Sequence, residues 1–290
     1  MFRSIIIAGA MLMTTATFAQ SENAGQTVAV NGMQMYYETY GEGEGEPLIV
    51  LHGAYMNIPT MGEIVPMLAE TRKVIAIEFQ GHGRTTDIDR PITYPNLADD
   101  VAAFMDAIGV EKADVFGYSM GAAAGLQFAI RHPEKIDQLV AASVAFDAEG
   151  WQPAFREFIP QMTPEFFVGT PMEDEYRKLA ANPEGFRALV EKLIALEHEP
   201  MAWGEDVKQL ETPILIIAGD ADVSTLEHNV ELFRLLGGGG MGDMGVPLPE
   251  SRLAILPATS HTAVITQAEL LRDLIDPFLE GETPTPFMGQ

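Results

Sequence analysis

The chain has 290 residues and a mass of 31.6 kDa, enough for one substantial core with a small inserted subdomain. Hydrophobic residues make up 47% and charged residues 20%, a globular profile, and the formal net charge of −25 argues against nucleic acid or an anionic membrane surface as partner. No cysteine is present, which excludes disulfides, zinc–thiolate sites and thiol nucleophiles.

The N-terminus reads as an export signal. Met1-Phe2-Arg3 is a short basic region, an apolar run extends from Ile5 to Met13, and Thr17-Phe18-Ala19 places small residues at the two recognition positions before Gln20. With Thr14, Thr15 and Thr17 included, the stretch falls short of the ~20 apolar residues that a membrane span needs. Residues 1–19 are therefore expected to be a removable signal peptide. The mature chain would be periplasmic or secreted, with no stable membrane insertion once the signal is gone. The absence of cysteine at the cleavage point excludes lipoprotein attachment.

Two β-prone runs, Thr27–Val30 and Met33–Tyr37, flank Asn31-Gly32 and predict a hairpin. After a polar loop, Leu48–Leu51 is continuously apolar, as expected of a strand covered on both faces. Strands and helices then alternate: strand Val74–Phe79 and helix Leu97–Ile108, strand Ala113–Phe116 and helix Met120–Arg131, and strand Ile136–Val144. Strand Ile214–Ala218 and helix Leu226–Leu236, then strand Arg252–Leu256 and helix Ala263–Leu279, complete the series. This βαβ alternation predicts an α/β fold, a mostly parallel sheet flanked by helices, with an antiparallel entry hairpin.

Between Asp147 and Glu211 the pattern changes. Prolines 153, 160, 164, 171 and 183 break an aromatic-rich stretch into short helices, so residues 147–211 read as an inserted helical cap. The core is then 20–146 and 212–290. Trp151, Phe155 and Phe158 follow the strand end nearest the expected site and are the candidate pocket residues; most other cap aromatics would form the cap's own core. The glycine-rich stretch 237–245 reads as a plain connection, with a pocket flap as the alternative.

The chemistry centres on Gly117-Tyr118-Ser119-Met120-Gly121, a Gly-x-Ser-x-Gly turn between a strand and a helix. So sharp a turn strains the central residue and needs small neighbours two places either side. It would expose the Ser119 hydroxyl at the carboxyl edge of the sheet, beside a helix N-terminus. Serine needs a base in hydrogen-bond reach, itself oriented by a carboxylate. Of six histidines, His261 follows the last strand on the edge that carries Ser119, and it is the expected base. The acid should follow a strand. Asp222, in Gly219-Asp220-Ala221-Asp222, is favoured, with Asp220 holding the turn's backbone; Asp147, after the preceding strand, meets the same requirement.

The order Ser119, Asp222, His261 resembles that of the α/β-hydrolase family, and the resemblance covers nearly the whole mature chain. Leu51-His52-Gly53-Ala54 is similar to the family's His-Gly loop, and Phe79-Gln80-Gly81-His82-Gly83-Arg84-Thr85 to its Gly-x-Gly-x-Ser/Thr turn. Gln80 departs from the arginine frequent there, and Thr85 from serine. The resemblance implies an esterase-like serine hydrolase acting on a small-molecule ester, with backbone N–H groups of Ala54 and Met120 as the oxyanion hole and no metal or cofactor. It also admits lactonase, C–C hydrolase, perhydrolase and aminopeptidase chemistry, the last with Glu173, Asp174 and Glu175 as candidate amine anchors. A non-catalytic binding member of the fold is the remaining alternative. Oligomeric state is not legible.

Overall fold

A computed structural model of the protein describes residues 25–43, 45–243 and 246–283, so the expected signal segment lies outside the described residues. Eight strands form one sheet: β1 Gln26–Val30, β2 Met33–Tyr40, β3 Leu48–Leu51, β4 Val74–Ile77, β5 Ala113–Tyr118, β6 Ile136–Ala142, β7 Ile214–Ala221 and β8 Arg252–Ser260. Their spatial order is β1-β2-β4-β3-β5-β6-β7-β8. The β1–β2 hairpin turns on Asn31 and Gly32, both with positive φ, and β2 joins β4 antiparallel; all later pairings are parallel. No helix among the described residues is long and apolar enough to cross a membrane.

The helices are α1 Ile64–Leu68, α2 Tyr94–Ile108, α3 Met120–Arg131, α4 Pro153–Phe158, α5 Pro171–Leu179, α6 Phe186–Glu197, α7 Gly204–Val207, α8 Leu226–Leu235, α9 His261–Val264 and α10 Ala268–Leu279. The continuously apolar strands follow from two cores, one on each face of the sheet. Ile49, Leu51, Ile75, Ile77 and Val115 join α2, α3 and the cap on one face. Leu48, Val50, Val74, Ala76 and Phe116 join α1 and α10 on the other. Successive strand residues thus alternate between two buried layers.

Two boundaries differ from the sequence expectation. The helix expected over 263–279 is two helices, because the chain turns at Ile265–Gln267 although its apolar spacing continues. Gln267 Nε2 bonds Thr259 Oγ1 at 2.9 Å and holds that turn. Strand β8 runs four residues past Leu256, through Pro257, and pairs Ser260 with Ala221 beyond an irregularity in β7. That extension brings the residues following both strands side by side.

The cap is rooted at its two ends. Residues Asp147 and Ala202 form an isolated antiparallel bridge, Trp203 N–H donates to Phe146 C=O at 3.0 Å, and Trp151 bridges to Ser224. Between these roots lie α4 to α6 and several 3₁₀ turns, most with proline at their start. The glycine-rich stretch leaves the far end of α8 and leads into the start of β8, so its described part lies at the amino edge of the sheet, with Gly238 against Phe233 and Gly242 against Leu248. A pocket flap at the carboxyl edge is excluded by that position.

Asp114, in β5 at this amino edge, is the clearest electrostatic cost in the core. Burial, reinforced by the neighbouring charge of Asp137, pushes its carboxyl up to about 7, and its Oδ1 is buried without a partner. The native state therefore favours the protonated form, and stability associated with it is lost as pH rises from the usual carboxylate range through about 7. Asp114→Asn should melt close to the parent at about pH 4 and increasingly above it as pH rises, with the gap level beyond about pH 7. Thermal melts across that range check it; a pH-independent gap would contradict the assignment.

Candidate active site

Ser119 lies between β5 and α3 with φ 54° and ψ −117°, a conformation costly for any residue with a Cβ. The surroundings enforce it. Its N–H donates to Ala142 C=O on β6 at 2.9 Å, and its C=O accepts from Ala123 N–H of α3. A Cβ on Gly117 would collide with Gly121 C=O and the Ala122 backbone, and one on Gly121 with the Leu51 and His52 carbonyls. Both glycines are therefore demanded by the close approach of strand, helix and the loop after β3.

Three side chains converge here. His261 Nε2 lies 3.0 Å from Ser119 Oγ, and His261 Nδ1 lies 2.7 Å from Asp222 Oδ1. The Asp222 side chain is fully buried. Its Oδ2 accepts from the Ser143 hydroxyl at 2.7 Å and Gly219 N–H at 3.2 Å, and its Oδ1 also accepts from Val223 N–H at 2.7 Å. Burial alone would push this carboxyl up, but the bonds from His261, Ser143 and Gly219 outweigh burial and hold it below the usual carboxylate range. A charged Asp222 makes Nδ1 the protonated ring nitrogen and leaves Nε2 free to accept from Ser119.

Neighbouring loops hold the histidine. Asp220 accepts from Ala258 N–H at 2.8 Å and Thr259 N–H at 3.0 Å, tying the end of β7 to the strand that delivers His261. Tyr118 donates its hydroxyl to His261 C=O at 2.9 Å and stacks against the imidazole. Asp147 is elsewhere engaged: its Oδ1 accepts from Glu149 N–H and caps a 3₁₀ turn.

The loop after β3 completes the arrangement. His52 Nε2 accepts from Phe79 N–H at 3.1 Å and its Nδ1 donates to Gly53 C=O at 2.7 Å, which clips this loop to the end of β4. Burial keeps the ring neutral. Gly53 approaches the Tyr118 ring closely enough that a Cβ would crowd it, bringing Ala54 beside the elbow. Neither Ala54 N–H nor Met120 N–H, the latter opening α3, has an acceptor among the described residues. A nucleophile, a base, an oriented acid and two free amide donors can together carry out acyl transfer.

Comparison with known proteins agrees with the fold. Residues 46–169 match the family model described as alpha/beta hydrolase fold. The structure aligns with the enol-lactonase of Burkholderia xenovorans LB400 at a TM-score of 0.65 and 21% identity, covering 88% of this chain and 99% of that one. The chain has the α/β-hydrolase fold. Among relatives it is 25% identical to 3-oxoadipate enol-lactonase 2 of Acinetobacter baylyi over 218 residues, 69% of this chain and 80% of the relative. It is 33% identical to 2-hydroxymuconate semialdehyde hydrolase of Pseudomonas sp. over 132 residues, 41% of this chain and 47% of the relative.

Other residues singled out in the sequence serve the scaffold. His132 pairs with Asp99, and His228 stacks on Phe146 while accepting its N–H. His82 is buried, and desolvation pulls it down to about 3. Gln80 replaces the family's frequent arginine by bonding Asp87, the Ile88 and Arg90 carbonyls and the Arg90 guanidinium. Thr85 joins Tyr36 N–H to Glu78 C=O, which fastens the turn to β2. Glu173 is occupied by Gly169 N–H and Arg177, and Glu175 by Lys178, so neither is a free amine anchor.

The aromatic expectations divide. Trp151 and Phe155 pack edge to face at the cap's root, and Phe158 is 39% exposed against Phe166. Phe167, not singled out in the sequence, is the cap ring at the site: it stacks on Tyr55, next to Ala54, at 4.7 Å. Ser143 and Tyr55 also carry no sequence signature. Among the described residues no cluster of three or more acidic, histidine or cysteine side chains could hold a metal ion.

Proposed function

We propose that this α/β hydrolase is an exported serine hydrolase that cleaves carboxylic esters through an acyl-enzyme on Ser119. The observation that carries the reading is the continuous hydrogen-bonded chain Ser119–His261–Asp222, aligned with an elbow whose φ of 54° exposes the hydroxyl. In this mechanism His261 takes the Ser119 proton as Oγ attacks the acyl carbonyl, then returns it to the departing alcohol. The tetrahedral oxyanion is held by Ala54 and Met120 N–H groups, each worth on the order of 3 kcal/mol. Water, activated by His261, then frees the acid. Asp222 orients the imidazole and stabilises its charged form. Export rests on the Met1–Ala19 pattern, and sequencing of the mature N-terminus should give a start near Gln20.

A second reading, lactone hydrolysis, draws on the likeness to an enol-lactonase and needs the same machinery, since a lactone is a cyclic ester. A fluorophosphonate probe together with a p-nitrophenyl ester series tests the proposal. Covalent labelling at Ser119 and hydrolysis of butyrate or hexanoate esters, both lost in Ser119→Ala, are expected. Labelling without hydrolysis of any open-chain ester, but with turnover of lactones, would favour the second reading. No labelling would exclude both.

A further inference from the structure

Tyr118 ends β5, immediately before the nucleophile, and only 4% of it is exposed. Its side chain touches two separate parts of the site. The ring lies against the imidazole of His261, with centroids 5.4 Å apart and planes inclined by 30°. It also closes on Gly53, where an added Cβ would stand 3.1 Å from the ring carbon Cδ1. Beyond the ring, the hydroxyl donates to His261 C=O at 2.9 Å. Burial, reinforced by the charge of Asp222, pushes that hydroxyl up and keeps it protonated as a donor.

His261 needs such support. It opens α9, a single turn of four residues, and so short a helix holds its first residue weakly. The bond of Nδ1 to Asp222 fixes one atom and leaves the ring free to swing about that contact. A flat neighbour restrains the plane, and a bond to the main chain restrains the pivot. Gly53 immediately precedes Ala54, so the same ring borders both the base and the loop that carries an oxyanion donor.

We propose that Tyr118 is a positioning residue, which holds the His261 imidazole in the plane that takes the Ser119 proton and keeps the Ala54 loop in register beside it. The inference rests on the ester-hydrolase reading and deepens it by giving a role to a residue outside the triad. The imidazole becomes a cation only as it takes that proton, and an aromatic ring with its centroid within about 6 Å of a cation attracts it. The contribution of Tyr118 is therefore felt mainly in the transition state and falls on kcat rather than KM. A residue that only filled the core would show its loss in the melting temperature alone.

Tyr118→Leu and Tyr118→Phe separate the ring from the hydroxyl, with p-nitrophenyl butyrate turnover, melting curves and proton NMR as readouts. Tyr118→Leu removes both restraints and should lower kcat on the order of 100-fold at a nearly unchanged KM. Tyr118→Phe keeps the ring and should lose only about 3- to 10-fold in kcat, a partial rescue by the conservative change. The strongly downfield proton of Nδ1–H, donated to Asp222, should be sharp in the parent and in Tyr118→Phe. In Tyr118→Leu it should be broadened or lost; its absence from His261→Ala assigns it. An unchanged kcat in folded Tyr118→Leu would overturn the proposal, as would equal losses in the two variants. If Tyr118→Leu does not fold, Tyr118→Phe still decides, since full parental kcat there would also overturn it.

If the parent hydrolyses no butyrate ester, the esterase reading falls, and the positioning role is still read by fluorophosphonate labelling of Ser119. Tyr118→Leu should then label on the order of 100-fold more slowly than the parent, with Tyr118→Phe between them. Equal labelling rates in the parent and either variant would overturn the proposal by that route as well.

Discussion

Ser119→Ala and His261→Ala are each expected to lower kcat for a p-nitrophenyl butyrate ester by roughly 10⁴- to 10⁶-fold, because nucleophile and base act as one unit. The double variant should be little worse than either single one. Stability should be nearly unaffected. Ser119 Oγ bonds only to His261 among the described groups, and the backbone at 119 is held by Ala142 and Ala123 whatever the side chain. At 261 the Tyr118 bond is made to the backbone carbonyl and survives truncation. Steady-state kinetics with matched melting curves check this. A large stability loss in either variant would mean that the chain of hydrogen bonds is built for structure.

The second large effect concerns the acid. Asp222→Asn should cost about 10⁴-fold in kcat, since an amide in place of the carboxylate can turn Nδ1 into an acceptor and present the wrong tautomer to Ser119. The loss should exceed that of Ser143→Ala, which removes one of four donors to Asp222 and leaves the charge in place. Asp147→Asn should change kcat by no more than about 3-fold, because that carboxylate caps a 3₁₀ turn and touches neither His261 nor Ser119. A neutral Asp222→Asn with a damaging Asp147→Asn would reverse the assignment.

Much of the fold was legible because its signals are local. Asn31-Gly32 dictates a hairpin, Leu48–Leu51 reads as a doubly covered strand, and the bounds of α3 follow from the elbow and from Pro133. The first turn of α2 was missed because its cap, Thr93 accepting from Asn96 N–H, sits before a proline. Pro257 hid the last part of β8, since an isolated proline reads as a strand end; on an edge strand it costs no ladder bond. Those hidden residues matter most, for they deliver His261.

At the site, the three residues with motif or order signals are ones that the structure brings together, and neighbours defined only by tertiary contact left no trace in the sequence. Ser143 gains its relation to Asp222 from the β6–β7 pairing, 79 residues apart in sequence. Phe167 depends on how the cap folds back, and proline-broken helices leave little periodicity from which to read that. Aromatic residues near the strand end therefore drew attention to Trp151, Phe155 and Phe158, while the ring that stacks beside Ala54 came from further along the cap. Hydrophobic composition marks a lid; it does not say which of its rings turn inward.

The central claim is a covalent intermediate on one hydroxyl. Rapid acid quenching of the enzyme during turnover of p-nitrophenyl butyrate, followed by intact-mass and peptide mass spectrometry, tests it directly. The account predicts a single adduct of one butyryl group on the peptide that contains Ser119, absent from Ser119→Ala. Continued hydrolysis without any adduct at Ser119, or an adduct on another residue that persists in Ser119→Ala, would contradict it.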